Sequence, residues 1–244
     1  MRFVSVLRAM LVLAVVGLIA QAFYAFTRAR PQDMPWTALD LRQPIGLFTG
    51  RKLTALGDAE PGHCRALLAA AGARVTALPP RRDGARCGYD DAVRVATGVT
   101  LAAPAPGVAC PVAAALFVWE REVVRPEALR MFGAELRRID HFGSYSCRRL
   151  YGRDSGAWSE HAAADAIDIA GFRLADGRRI TVARDWRPGE SEESRRRAAF
   201  LHAVRDGACP LFATTLSPDY NAAHHDHLHL DQAIRGAMGW RACR

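Results

Sequence analysis

Four of the chain's eight histidines fall within six residues, His224, His225, His227 and His229, in the run NAAHHDHLHLD at 221–231. In an extended segment His227 and His229 point to one face, and Leu228 and Leu230 point to the other. The leucine face packs, and the imidazole face is left for a ligand. The neutral imidazole is the commonest protein ligand for metals, so two on one face read as part of a metal site. The competing reading is a pair of structural or surface histidines. A second cluster lies upstream, where residues 159–168 read SEHAAADAID. Asp168 alternates with Ile167 and Ile169, which places a carboxylate opposite two apolar side chains. An ionised carboxylate facing inward there is costly unless it is paired or bound to a metal. Ser159 has no G-x-S-x-G context and reads as a loop hydroxyl rather than a nucleophile.

Ser159, His161, Ala166 and Asp168, followed by His227 and His229, resemble the pattern of the bacterial extensin-like family. Its C-terminal domain is similar to zinc peptidases that cleave peptidoglycan peptides: D-Ala-D-Ala carboxypeptidases and dipeptidases, and the penicillin-insensitive murein endopeptidases. YSCR at 145–148, SEHA at 159–162, AIDIAGF at 166–172, PDYN at 218–221 and HLHLD at 227–231 also look like this family. The resemblance covers roughly residues 63–244 and is strongest from 140 onward. It implies a Zn²⁺ held by His161, Asp168 and His229, with the fourth position open for water, as catalytic sites have. His227 is then the first candidate for the catalytic base and His224 the second. Asp226 and Asp231 would orient imidazoles, and Arg148 would grip a substrate carboxylate. His225 reads as solvent-facing. Trp158, Trp186 and Tyr220 either line a groove or pack. The chain departs from the family pattern at Ala164, where the relatives carry glycine; a left-handed backbone there would strain alanine.

These residues need elements to hold them. Ala166–Leu174 and Arg179–Ala183 read as strands flanking Ala175-Asp176-Gly177-Arg178, and Asp-Gly is a hairpin signal. Glu135–Phe142, Ala213–Leu216 and His227–Leu230 read as further strands. Cys64–Ala71 reads as a helix stopped by Gly72. Pro111 opens an apolar helix, and Pro126 restarts a second that ends near Gly133. Glu192–Asp206 reads as an amphipathic helix with Ala199, Leu201, Ala203 and Val204 inward and Gly207 as its stop. The expected fold is α+β, an antiparallel sheet with flanking helices like that of the zinc peptidases. The expected domains are an N-terminal apolar helix at 1–30, a linker at 31–62 rich in proline and glycine, a helical and disulfide-bonded subdomain at 63–133, and a catalytic core at 134–244.

Ala9–Phe26 is uncharged and bracketed by arginines. It reads either as a signal anchor or as a signal peptide cleaved after Ala22. The arginines at its start stay inside, so the rest of the chain belongs outside the cytoplasm, in the periplasm. Six cysteines, an even number with no CxxC pair, suit up to three disulfides in an oxidising compartment. They allow 15 pairings, and sequence does not choose among them. The 244 residues carry 33 basic and 25 acidic side chains, a net of +8. Four of the arginines lie in the first 30 residues, where there is no acid. The remaining +4 and the lack of a basic stripe interleaved with aromatics argue against a nucleic-acid partner. The composition is globular and excludes a wholly disordered chain. The expected function is an exported zinc metallopeptidase hydrolysing amide bonds in peptidoglycan stem peptides, as carboxypeptidase or endopeptidase. The alternative is a zinc-containing module that binds or scaffolds the cell wall without catalysis.

Overall fold

A computed structural model describes residues 2–96, 98–236 and 240–244. The chain opens with α1 (Arg2–Ala29), an apolar helix whose spanning stretch buries none of its surface against the rest of the protein. At 1.5 Å per residue it is about 42 Å long, enough to cross the roughly 30 Å of a bilayer's hydrocarbon core.

Next come α2 (Thr49–Thr54) and α3 (Pro61–Ala70), then β1 (Arg74–Ala77), β2 (Arg81–Gly84), β3 (Cys87–Tyr89), β4 (Val93–Ala96) and β5 (Thr100–Leu101). Strands β1 and β4 form one antiparallel pair and β2 and β3 another. Helix α4 (Cys110–Trp119) runs through a π-helical turn at Glu120–Val124 into α5 (Arg125–Phe132). Pro126 therefore does not restart a separate helix. It removes a hydrogen-bond donor from the ladder, and the widened π turn lies directly before it. Gly133 ends α5 in the left-handed conformation expected of a C-terminal glycine.

The main sheet is built from β6 (Leu136–Gly143), β7 (Ala166–Leu174), β8 (Arg179–Thr181), β9 (Thr214–Leu216), β10 (Leu228–Asp231), β11 (Ala242–Cys243) and the earlier β5. Its order is β11-β9-β10-β7-β6-β5, with β8 pairing the distal half of β7. It is antiparallel at its centre and parallel at its outer pairs, β5–β6 and β9–β11. Short α6 (Val182–Asp185) leads to α7 (Glu192–Ala208), which covers the sheet. The architecture is mixed α+β, as the sequence pattern implies.

One hydrophobic core runs from Leu41 to Leu230. Trp119 of α4 packs on Phe172 of β7 and Phe212, and its indole donates to the Val204 carbonyl at 2.8 Å. The expected boundary between 133 and 134 is therefore not a physical one. The expected linker at 31–62 also folds onto the domain, burying Met34, Leu41, Leu53 and Leu56. Its glycines serve close packing there: a Cβ on Gly46 would come within 2.4 Å of the Gln32 backbone.

Three disulfides, Cys64–Cys110, Cys87–Cys147 and Cys209–Cys243, use all six cysteines. They close loops of 34 to 60 residues, each worth about 2–4 kcal/mol on chain-entropy grounds. On α7 the inward positions are Ala198, Phe200, Leu201, Val204 and Ala208, and Ala199 is exposed. Gly207 does not stop this helix. It lies within the last turn, where a Cβ would stand 2.3 Å from Val123 Cγ1, so it lets α7 approach the π turn. Gly207→Ala is expected to lower stability by about 1 kcal/mol, because overpacking here outweighs the gain alanine brings to a free helix. Urea denaturation checks this, and adding Val123→Ala should recover part of the loss.

Candidate metal centre

Register assembles the site. Antiparallel pairing of β10 with β7 sets His229 directly opposite Asp168, a cross-strand pair on one face of the sheet. The alternation on β7 buries Ile167 and Ile169 completely on the other face. His161 arrives from a 3₁₀ turn at Glu160–Ala163, whose N-cap is Ser159, with the Ser159 hydroxyl accepting from the His161 backbone N–H at 3.3 Å. Ser159 thus acts as a loop hydroxyl. Ala164 follows in the left-handed region at φ 56°, the conformation that favours glycine. Its carbonyl is fixed from two sides, by the Ala109 N–H and the Ser144 hydroxyl.

The side chains converge. His161 Nε2 lies 3.2 Å from Asp168 Oδ2 and 3.2 Å from His229 Nδ1, and His229 Nδ1 lies 3.0 Å from Asp168 Oδ1. Among the described residues these three form the group whose ligand atoms lie close enough together, within 4.8 Å, to hold a metal ion.

The outward nitrogens decide the tautomers. His161 Nδ1 stands 2.5 Å from the Ser144 carbonyl, which only accepts, so Nδ1 carries a hydrogen. His229 Nε2 stands 3.1 Å from Asp231 Oδ2 and likewise donates. When both rings are neutral, two lone pairs and an ionised carboxylate face one another at about hydrogen-bond distance. Such a set of acceptors calls for a cation, and a proton or a metal ion can supply it.

The proton equilibria of Asp168 and His229 follow from the same contacts. Burial pushes His229 down, but hydrogen bonds to Asp168 and Asp231 outweigh it and raise the ring to about 9. Burial pushes the Asp168 carboxyl up, and hydrogen bonds from His161 and His229 reverse that and hold it well below the usual carboxylate range.

The remaining predicted residues flank this trio. His227 directs Nε2 to 3.5 Å from Asp168 Oδ1, while Asp226 holds its Nδ1 at 2.8 Å. Phe142 packs edge-on against the same ring, with centroids 5.9 Å apart. His224 lies beside His227, with ring centroids 5.1 Å apart, and bonds Asn221 Oδ1 at 2.7 Å. Burial and the neighbouring His227 and His229 push His224 down to about 4, with a contribution from the Arg148 guanidinium, so its ring is neutral at ordinary pH. Arg148 is exposed and makes no ion pair among the described residues. His225 is turned to solvent. Trp186 does not line the site. It is buried, stacked on His202 with centroids 4.2 Å apart. Tyr220 stands beside His224, and Trp158 lies under Arg149.

Ser144, Asn221 and Phe142 escape the sequence reading. Ser144 meets His161 through its backbone carbonyl, which leaves no residue-type signal. Asn221 carries a weak one, since Asn before a short helical turn is a capping residue. A cavity of about 450 Å³ is lined by Phe142, Gly143 and Ser144 and by Arg81, Tyr89 and Arg94, and by no member of the trio.

A family model described as Extensin-like protein C-terminus matches residues 62–244. The chain belongs to the extensin-like family. No curated protein and no solved structure matches it. The extensin-like domain thus begins at α3, and the packed segment before it lies outside the matched span.

A metal must displace the proton held at His229. Below pH 9, apparent metal affinity should fall about tenfold for each pH unit, and above it the curve should flatten. Competition with a chromophoric chelator between pH 6 and 10 measures this. Asp231→Asn should weaken affinity by about 10–100-fold, because it frees the His229 ring to turn.

Proposed function

We propose that this protein is an exported, zinc-dependent peptidase that hydrolyses amide bonds in peptidoglycan peptides. The observation that carries the reading is His227. It stands beside three converging ligands, braced by Asp226, without belonging to the trio itself. A structural zinc site closes with four protein ligands, whereas a catalytic site keeps three and an open position. His161, Asp168 and His229 fit zinc in donor type, in number and in their outward hydrogen bonds to carbonyl and carboxylate. When bound there, zinc supplies Lewis acidity toward a carbonyl oxygen and acidifies water.

The chain's own residues do the rest. His227 Nε2 takes the proton of the attacking water and delivers it to the leaving amine, and Asp226 keeps Nδ1 protonated and the ring aimed. His224, neutral and fixed by Asn221, is a second polar contact beside the reacting amide. Arg148 offers a guanidinium for a terminal carboxylate, which a peptide with free carboxyl groups provides. The cavity beyond Phe142 and Ser144 is large enough for a few residues of such a peptide and is lined by Arg81 and Arg94. The resemblance of Ser159, His161, Asp168, His227 and His229 to the pattern of zinc peptidases of peptidoglycan supports this substrate class. The apolar helix and the three disulfides support a periplasmic site of action, with the domain held to the inner membrane or released after Ala22.

Incubating the full-length protein with sacculi and defined muropeptides should release new amino termini. His227→Ala should slow this by roughly 10²–10⁴-fold, the usual contribution of a general base, while retaining bound zinc. Zinc without cleavage, and no difference between His227→Ala and the wild type, would identify a non-catalytic wall-binding module.

A further inference from the structure

A second cavity, of about 440 Å³, lies between α2 and residues 233–236, 240 and 241, and no member of the trio lines it. Arg51, Lys52, Arg235 and Arg241 line it against a single carboxylate, Asp58. Arg241 is built into its wall. Its guanidinium lies against the backbone of α2 at Gly50, where a Cβ would come within 2.6 Å of Arg241 Cζ and 2.1 Å of the Pro210 carbonyl. Glycine is the residue that admits this contact. Nη2 donates to Thr54 Oγ1 at 3.2 Å, and Nη1 is buried without a hydrogen-bond partner among the described residues. Arg235 lies over the Trp240 ring at 4.9 Å, and its ion pair with Asp231 is long, at 3.9 Å. Burial, with Arg235 and Arg51 nearby, pushes Arg241 down to about 10. The wall thus gathers four cations around the carboxylate of Asp58.

The cavity also has a definite place. Pro35 and Phe48 line it, and Lys52 Nζ bonds the Pro31 carbonyl and Gln32 Oε1, both at 3.3 Å. Pro31 stands two residues beyond Ala29, the last residue of α1. The cavity is thus fastened to the point where the apolar helix meets the domain. Trp36 and Leu47, in the same segment, are 68% and 83% exposed, and Trp240 and Ile234 add exposed apolar surface at the cavity itself. Cations flanked by exposed tryptophans at the foot of a span match the chemistry of a membrane interface.

We propose that this cavity binds the phosphate of an anionic phospholipid headgroup in the membrane that α1 enters. The site requires α1 to stay attached. It goes beyond the peptidase reading, because it involves none of the residues of the metal centre. Guanidinium forks pair with phosphate oxygens in bidentate geometry, and the indole of Trp240 lies along the glycerol and upper acyl chain. Occupancy fixes the orientation of the domain on the bilayer, which a single flexible attachment would leave free.

The test uses the full-length protein in neutral detergent micelles. Native mass spectrometry and thermal midpoints follow titration with phosphatidylglycerol, phosphatidylcholine or glycerol phosphate. One phosphatidylglycerol per chain is expected, with phosphatidylcholine and glycerol phosphate each at least tenfold weaker. Arg241→Gln should weaken phosphatidylglycerol binding at least tenfold. Arg51→Gln, at an exposed position that cannot unfold the core, should weaken it several-fold. Equal binding of the two lipids, or unchanged binding in both variants, would overturn the proposal. Glycerol phosphate binding as tightly as the lipid would make this a soluble-phosphate site and overturn the lipid assignment.

Discussion

Three acceptors pointed at one another are an unfavourable arrangement, and the centre of this protein is built around it. The Ser144 carbonyl and the Asp231 carboxylate each claim a ring hydrogen, one from His161 and one from His229. When the rings are neutral, both inner nitrogens are thereby left as lone pairs beside the ionised Asp168. In water such a group would turn outward. Here it is held, because His161 and His229 are buried and their outward hydrogen bonds are made. A cation relieves the repulsion, and the contacts with Asp168 and Asp231 raise the proton affinity of His229 for the same reason.

Much of the fold maintains that arrangement. Asp168 and His229 meet because β7 and β10 pair in one register, and a slip of one residue would turn each to the opposite face. Ile167, Ile169, Leu228 and Leu230 oppose such a slip, since all four are fully buried on the far face. The turn bearing His161 is closed at Ser159 and reversed at Ala164, with α4 and the end of β6 holding the Ala164 carbonyl. Alanine adopts the left-handed backbone there at a cost of about 1–2 kcal/mol, and its buried methyl group offsets part of that. The disulfide Cys87–Cys147 ties the segment just before Arg148 to β3.

The sequence revealed most where residue type and period coincide. AIDIAGFRL alternates so regularly that the strand Ala166–Leu174 and the inward face of Asp168 were both legible. The clustered histidines were legible for the same reason. What escaped was contributed by backbone or by long-range packing. The Ser144 carbonyl has no type to read. Glycines carried two meanings: Gly133 ends a helix, whereas Gly207 and Gly46 mark close approach, and only the third dimension separates these. The proline- and glycine-rich stretch at 31–62 looked like a tether because its few apolar residues have no period. They pack through turns, the six-residue α2 and a 3₁₀ turn, none long enough to show a period. The partition at 133/134 failed because Trp119 binds the two halves into one core. The pairing of the cysteines was closed to sequence altogether.

The positive charge divides by location. Arginines flank the apolar helix α1, others line the cavity beside α2, and Arg148 is exposed, close enough to His224 to lower its proton affinity. The function proposed for the centre requires a metal ion held by the trio. Metal analysis of the full-length protein purified without chelators tests that most directly, with His161→Ala as the control. One equivalent of zinc per chain, lost in His161→Ala, is the predicted result. A wild-type protein that carries no metal after equilibration with zinc at neutral pH would contradict the account.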